Sequence, residues 1–226
     1  MNVVAHDEWL TARKELLAKE KEFTRARDEL TRQRQDLPWE AVEKEYVFEG
    51  PNGKETLADL FDGRSQLLVY HFMFGPDDEA GCPVCSFWAD NFDPIVQHLR
   101  QRDVTMIAIS RAPFAKIAAY KERMGWSFKW VSAFENDFNF DYRVSFRPEE
   151  QDQPLYNYGT LAPRDSNREG ASVFARDKGG TVFHTYSAYA RGIDLVNTAY
   201  NYLDLVPKGR DEDPPGPFWV RRRDEY

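Results

Sequence analysis

The two cysteines of this 226-residue chain, Cys82 and Cys85, lie three positions apart in Cys82-Pro83-Val84-Cys85. An apolar run, Gln66-Leu67-Leu68-Val69-Tyr70-His71-Phe72-Met73-Phe74, comes shortly before them, and the residues from Ser86 to about Gln101 read as a helix. A thiol pair on the turn from a buried strand into a helix is the sequence form of a dithiol redox site. Helix-start amides and the positive end of the helix dipole stabilise a thiolate on Cys82, and the thiolate is the reactive species. Cys85, one turn on, is placed to resolve a mixed disulfide. Two other readings of the same residues stay open: a pair of small inert hydrophobes, or half of a metal site.

Composition narrows the class. Hydrophobic residues make up 42% of the chain and aromatics 15%, enough for a real core in one domain with an appendage, or at most two domains. A net charge of −8 argues against nucleic acid or an anionic membrane as partner. Two cysteines are too few for a disulfide-stapled secreted scaffold. The first residues have neither a basic nor an apolar leader segment, and no apolar run approaches the roughly 20 residues that span a bilayer. Cytoplasm is the expected compartment, and no organic cofactor is implied.

Three segments are expected. Residues 1–43 form a helical extension, with one charged helix from Asp7 as N-cap to about residue 35 and Leu37-Pro38 as the stop. Trp9, Leu16, Phe23 and Leu30 recur every seven residues, whereas Lys19 and Gln33 occupy complementary heptad positions. So thin a stripe is marginal alone in water and must be covered, by its own domain or by a second subunit; a homodimer through this helix is the expectation. Residues 44–206 alternate strand and helix. Strands are expected at residues 45–49, 67–74, 104–109 and 128–134, with a hairpin at residues 172–176 and 181–186. Short helical turns are expected near residues 57–61, a helix from Pro113 to about Met124 ended by Gly125, and a last helix over residues 194–203. The fold class is α/β, a central mixed sheet with helices on both faces. Residues 207–226, with Asp213-Pro214-Pro215-Gly216-Pro217, form a mobile or strapped-down tail.

That element order resembles the thioredoxin superfold, in its peroxiredoxin-like branch. The whole chain is similar to a family of thioredoxin-like bacterial proteins of unknown function. The similarity rests on Glu20-Lys21-Glu22-Phe23-Thr24-Arg25-Ala26-Arg27, Leu37-Pro38-Trp39, Phe72-Met73-Phe74-Gly75-Pro76, Gly81-Cys82-Pro83-Val84-Cys85 and Ser110-Arg111-Ala112-Pro113. Thr185-Tyr186-Ser187, Arg191-Gly192 and Leu203-Asp204-Leu205 extend it. It implies a thioredoxin-like fold and little about reaction. The peroxidatic pattern Pro-x-x-x-Thr-x-x-Cys is broken, since Gly75 and Glu79 stand at its Pro and Thr positions before Cys82. No proline stands near Gly170-Ala171-Ser172, where thioredoxins carry a cis-proline, and Gly81 replaces the usual Trp before the first cysteine.

Loops at the carboxyl ends of neighbouring parallel strands meet at one site, which makes Arg111 the candidate cation beside Cys82. The acidic run Asp77-Asp78-Glu79 opposes thiolate formation. His71, in an apolar strand, reads first as a core histidine and second as a proton shuttle; His184 faces either the site or solvent, and His98 suits a helix C-terminus. The aromatic residues 135–170 either pack as secondary core or line a cleft, and Trp219 with Arg221-Arg222-Arg223 suits a partner contact. The expected activity is thiol–disulfide exchange by Cys82, Cys85 and Arg111 on an unknown protein or small-molecule disulfide. The alternative is a non-catalytic binding or structural protein of the same fold, including one that binds metal.

Overall fold

The computed structural model describes residues 2–226 and divides them into two units, one reaching Trp39 and the other starting at Glu40. The first unit is essentially one helix, α1 (His6–Gln35). Good helix formers fill it, and its charges suit the macrodipole: Asp7 and Glu8 lie in the first turn, Arg32 and Arg34 in the last. Asp7 lies inside the helix instead of capping it. Ala5 is the N-cap without a side-chain bond, and the Asp7 carbonyl accepts from the Thr11 hydroxyl at 2.9 Å. No residue of α1 is buried, and Trp9, Leu16, Phe23 and Leu30 are all exposed.

The second unit is built on one mixed sheet. Its strands are β1 (Glu40–Ala41), β2 (Val47–Gly50), β3 (Gly53–Thr56), β4 (Gln66–His71), β5 (Val104–Ser110), β6 (Lys129–Ser132), β7 (Gly170–Arg176) and β8 (Val182–Tyr189). Among the described residues the order is β1-β8-β7-β4-β5-β6-β2-β3. Strands β4, β5 and β6 run parallel, and the remaining pairings are antiparallel. The central pair follows directly from the sequence: β4 and β5 are the two most continuous apolar runs, and both faces of each are covered. One face carries Tyr70, Phe72, Trp88, Phe128 and Trp130; the other carries Phe48, Leu67, Val69, Ile107 and Phe138.

Two helical expectations are corrected by backbone chemistry. The helix after the thiols is α2 (Pro83–Phe92), which passes through a 3-10 turn at Asp93–Ile95 before α3 (Val96–Arg100). Pro94 has no N–H to continue the ladder, so the single helix expected to about Gln101 is divided. Asp93 fixes the break by accepting from the backbone N–H groups of Ser127 and Phe128 at 2.8 and 3.0 Å. Downstream, α4 (Phe114–Met124) ends at Gly125, whose φ of +66° lies in the left-handed region. A single turn, α5 (Phe138–Asp141), follows β6. The last expected helix is instead a 3-10 segment, Ala190–Val196, followed by α6 (Thr198–Leu203), which Asn197 caps through the Tyr200 N–H at 3.2 Å.

The long aromatic connection packs down. Val144, Phe146 and Tyr156 form a third cluster with Tyr189, while Tyr158 stays exposed. The tail is strapped to the domain. Glu212 accepts from the Tyr200 hydroxyl at 2.6 Å, from Trp219 Nε1 at 3.1 Å and from the Gly216 N–H at 3.1 Å. Arg123 on α4 clamps Asp224 with bonds of 2.6 and 3.1 Å.

Candidate functional site

Cys82 is the N-cap residue of α2, with Pro83 at the first helical position, where a missing N–H costs nothing. The turn is tied to the strand behind it by the Cys82 N–H, which donates to the Met73 carbonyl at 3.1 Å. Its own carbonyl accepts from the Ser86 N–H and the Ser86 hydroxyl, both at 2.9 Å, and that hydroxyl pairs with Tyr120 at 2.8 Å. The backbone leading in leaves no room for a side chain. A Cβ on Gly81 would lie 2.6 Å from the Tyr120 ring and 2.8 Å from that of Phe72. That contact accounts for the small residue standing before the first cysteine.

The two thiols differ sharply in environment. Cys82 is half-buried and Cys85 fully buried, in the order that the strand–turn–helix placement predicts. The Cys85 thiol donates to Cys82, and the N–H groups of Cys85 and Val84 add to this. Together they bring the Cys82 thiol down to about 7, against burial and the Glu169 carboxylate, which push the other way. Cys85 moves oppositely. Burial raises its pKa, and so do its hydrogen bond and proximity to Cys82. The Met73 N–H donates to Cys85 Sγ at 3.3 Å. The phenol of Tyr70, wholly buried on β4, lies beside Cys85, and its hydroxyl makes no hydrogen bond.

A cleft of about 610 Å³ opens onto Cys82, lined among others by Met73, Asp78, Asn167, Arg123 and Arg222. Arg222 comes from the tail and donates to the Gly81 carbonyl from Nε at 3.0 Å and from a terminal nitrogen at 2.9 Å. The cation that packs on the thiol turn is therefore Arg222. Arg111 is placed elsewhere: its guanidinium lies 4.3 Å from the centre of the Phe140 ring and reaches the Phe134 carbonyl at 3.5 Å. Of the acidic run, Asp78 is engaged with backbone, accepting from the Gly75 N–H at 2.6 Å. Lys116 reinforces that loop by donating to the Pro76 and Asp78 carbonyls at 2.7 and 2.9 Å.

The histidines belong to other surroundings. Alternation along β4 sends His71 to the opposite face from Tyr70, against Phe138 and Tyr142. It is buried, shares a 2.8 Å bond with the Ser172 hydroxyl, and burial pushes its pKa to about 3. A ring held neutral in this way is the core histidine of the first reading. His184 bonds Ser187 at 2.8 Å and lies 3.6 Å from Glu40, and His98 sits in the last turn of α3. Among the described residues, no group of three or more His, Cys, Asp or Glu side chains is arranged to hold a metal ion.

Three residues of the site escape sequence reasoning. Tyr70 reads as one more apolar residue of a buried strand. Glu169 ends a polar loop with no motif. Arg222 sits in an arginine run whose only legible meaning is a surface contact. For Tyr70 a signal existed: it alternates with Phe72 on the face that must meet the thiol turn.

The comparisons with known proteins agree with this architecture. The model of the family described as bacterial protein of unknown function (DUF899) matches residues 1–226, and the chain belongs to that family. No curated protein sequence matches the chain. Among solved structures it is similar to the bacterioferritin comigratory protein of Xanthomonas campestris, with a TM-score of 0.51 and 12% identity over 73% of this chain and 94% of that one. It is similar also to a cysteine-to-serine variant of peroxiredoxin Q of Xanthomonas campestris, with a TM-score of 0.50 and 12% identity over 73% and 97%. The chain has a thioredoxin-like fold.

Proposed function

We propose that this chain is a thiol–disulfide oxidoreductase in which Cys82 attacks and Cys85 resolves. The observation that carries the reading is the split between two adjacent thiols: a half-buried one lowered to about 7 and a buried one raised. A lowered, accessible thiol beside a protonated, protected one is what sequential exchange needs. In the first step the Cys82 thiolate attacks one sulfur of a partner disulfide, and the second partner sulfur leaves as a thiolate. In the second step Cys85 loses its proton, attacks Cys82 Sγ and expels the remaining partner thiolate. The protein ends as an internal disulfide, oxidised by two electrons, and the partner has gained two. An external thiol returns it to the dithiol. Arg222 holds the turn through Gly81, and the polar residues lining the cleft suit a partner of peptide or small polar disulfide type.

The bacterioferritin comigratory protein of Xanthomonas campestris is described as having alkyl peroxide reduction activity. In this chain Gly75 and Glu79 stand where a peroxidatic site carries Pro and Thr, so disulfide exchange is the better-supported chemistry. Limiting iodoacetamide with peptide mapping across pH tests the proposal. Cys82 should take the label first, with a rate that rises through about pH 7 as its thiolate forms and then levels. Label on Cys85 first, or on neither thiol in native protein, would contradict it.

A further inference from the structure

We infer that α1 is a dimerisation helix, which pairs with α1 of a second copy of this chain as a parallel, in-register coiled coil. The first observation is exposure. At 1.5 Å per residue its 30 residues extend about 45 Å, and none is buried. Its heptad stripe lies open, with Trp9 at 52%, Leu16 at 51%, Phe23 at 68% and Leu30 at 46% exposure. Two aromatic and two leucine side chains in one line, repeated every seven residues, form an apolar seam that water does not favour.

The second observation is charge, and it selects the occupant. With Trp9, Leu16, Phe23 and Leu30 at position a, position d holds Ala12, Lys19, Ala26 and Gln33. The small alanines make room for the large a side chains of a facing copy, and the polar Lys19 and Gln33 fix register at a cost in affinity. Position g is then Glu8, Glu15, Glu22 and Glu29, all acidic. Position e is Arg13, Glu20, Arg27 and Arg34.

In a parallel pair each g residue meets the e residue five positions on in the other copy. This gives Glu8 with Arg13, Glu22 with Arg27, and Glu29 with Arg34: three opposite-charge pairs. The remaining pair, Glu15 with Glu20, is like-charged, and Arg13 already holds Glu20 within the helix at 2.9 Å. In an antiparallel pair g faces g and e faces e, which sets glutamate against glutamate and arginine against arginine. The pattern therefore favours a second identical helix in one orientation and disfavours the reverse. The bonds from Arg32 and Gln33 to Glu29 are exposed and exchange readily with an intermolecular partner.

Sedimentation of the full chain and cross-linking test this together. At micromolar concentration the wild type should be a dimer, and Phe23→Ala with Leu30→Ala should raise its dissociation constant at least about tenfold. Both side chains are exposed outside the core, so the near-ultraviolet circular dichroism of the buried aromatic core should stay close to wild type. In a Cys82→Ser, Cys85→Ser background, Ala26→Cys should yield a disulfide-linked dimer on mild oxidation, because an in-register parallel seam brings the two copies of position 26 together. A monomeric wild type, a dimer indifferent to the double substitution, or an associated protein whose Ala26→Cys variant does not cross-link would overturn the inference.

Discussion

Beside the buried Cys85 thiol lies the buried hydroxyl of Tyr70, which has no hydrogen-bond partner. A buried thiol with a raised pKa stays protonated beside Cys82, but it must become a thiolate to resolve a mixed disulfide. The Met73 N–H already donates to Cys85 Sγ, and the unpartnered Tyr70 hydroxyl beside it can turn its proton to the charge when it forms. An aromatic disulfide that releases a coloured thiolate separates the two steps, one equivalent each. Tyr70→Phe should leave the first release at wild-type rate and slow the second by about tenfold, the ~1.4 kcal/mol of one hydrogen bond to a charged group. Equal second phases would remove Tyr70 from the chemistry. Gly81 is constrained by packing: Gly81→Ala drives a methyl into the Tyr120 and Phe72 rings and should cost about 1–3 kcal/mol in urea unfolding. An unchanged midpoint would mean that those rings move aside.

At the scale of elements, the tail is part of the site's scaffold. Arg222 satisfies the Gly81 carbonyl twice, and Arg123 clamps Asp224 from α4. Arg222→Ala should lower stability by about 1.5–3 kcal/mol and open the tail to limited proteolysis several-fold faster. A tail that stays resistant would place its anchorage in the Glu212 cluster instead. The sequence signals legible at this scale were those with a local cause. Apolar runs marked β4 and β5, Gly125 marked the end of α4, and the placement of the thiols announced the start of α2. The break at Pro94 is equally local, since a proline inside the expected helix has no N–H to continue the ladder. Arg222, by contrast, was not legible. Its partner is a backbone carbonyl 141 positions away, and no periodicity records a contact of that separation. Arg111 is a related case: topology brings its loop towards the site's end of the sheet, and its guanidinium packs on Phe140.

For the molecule as a whole, the alternation of strands and helices carried the fold class, because a thioredoxin-like sheet needs central parallel strands buried on both faces. What pattern could not carry was the pairing of thiol environments, which arises when β4, α2 and the end of the 135–170 connection converge. On that convergence the proposed exchange chemistry depends, and a complete redox cycle tests it most directly. Reduced protein is treated with glutathione disulfide, its free thiols and mass are measured, and it is then returned to excess dithiothreitol. Both thiols should be lost with no retained adduct and recovered fully on reduction. Cys85→Ser should stall as a glutathione adduct, and Cys82→Ser should show no fast reaction. A wild-type protein that keeps both thiols free, or that stalls as the mixed disulfide, would contradict the proposal.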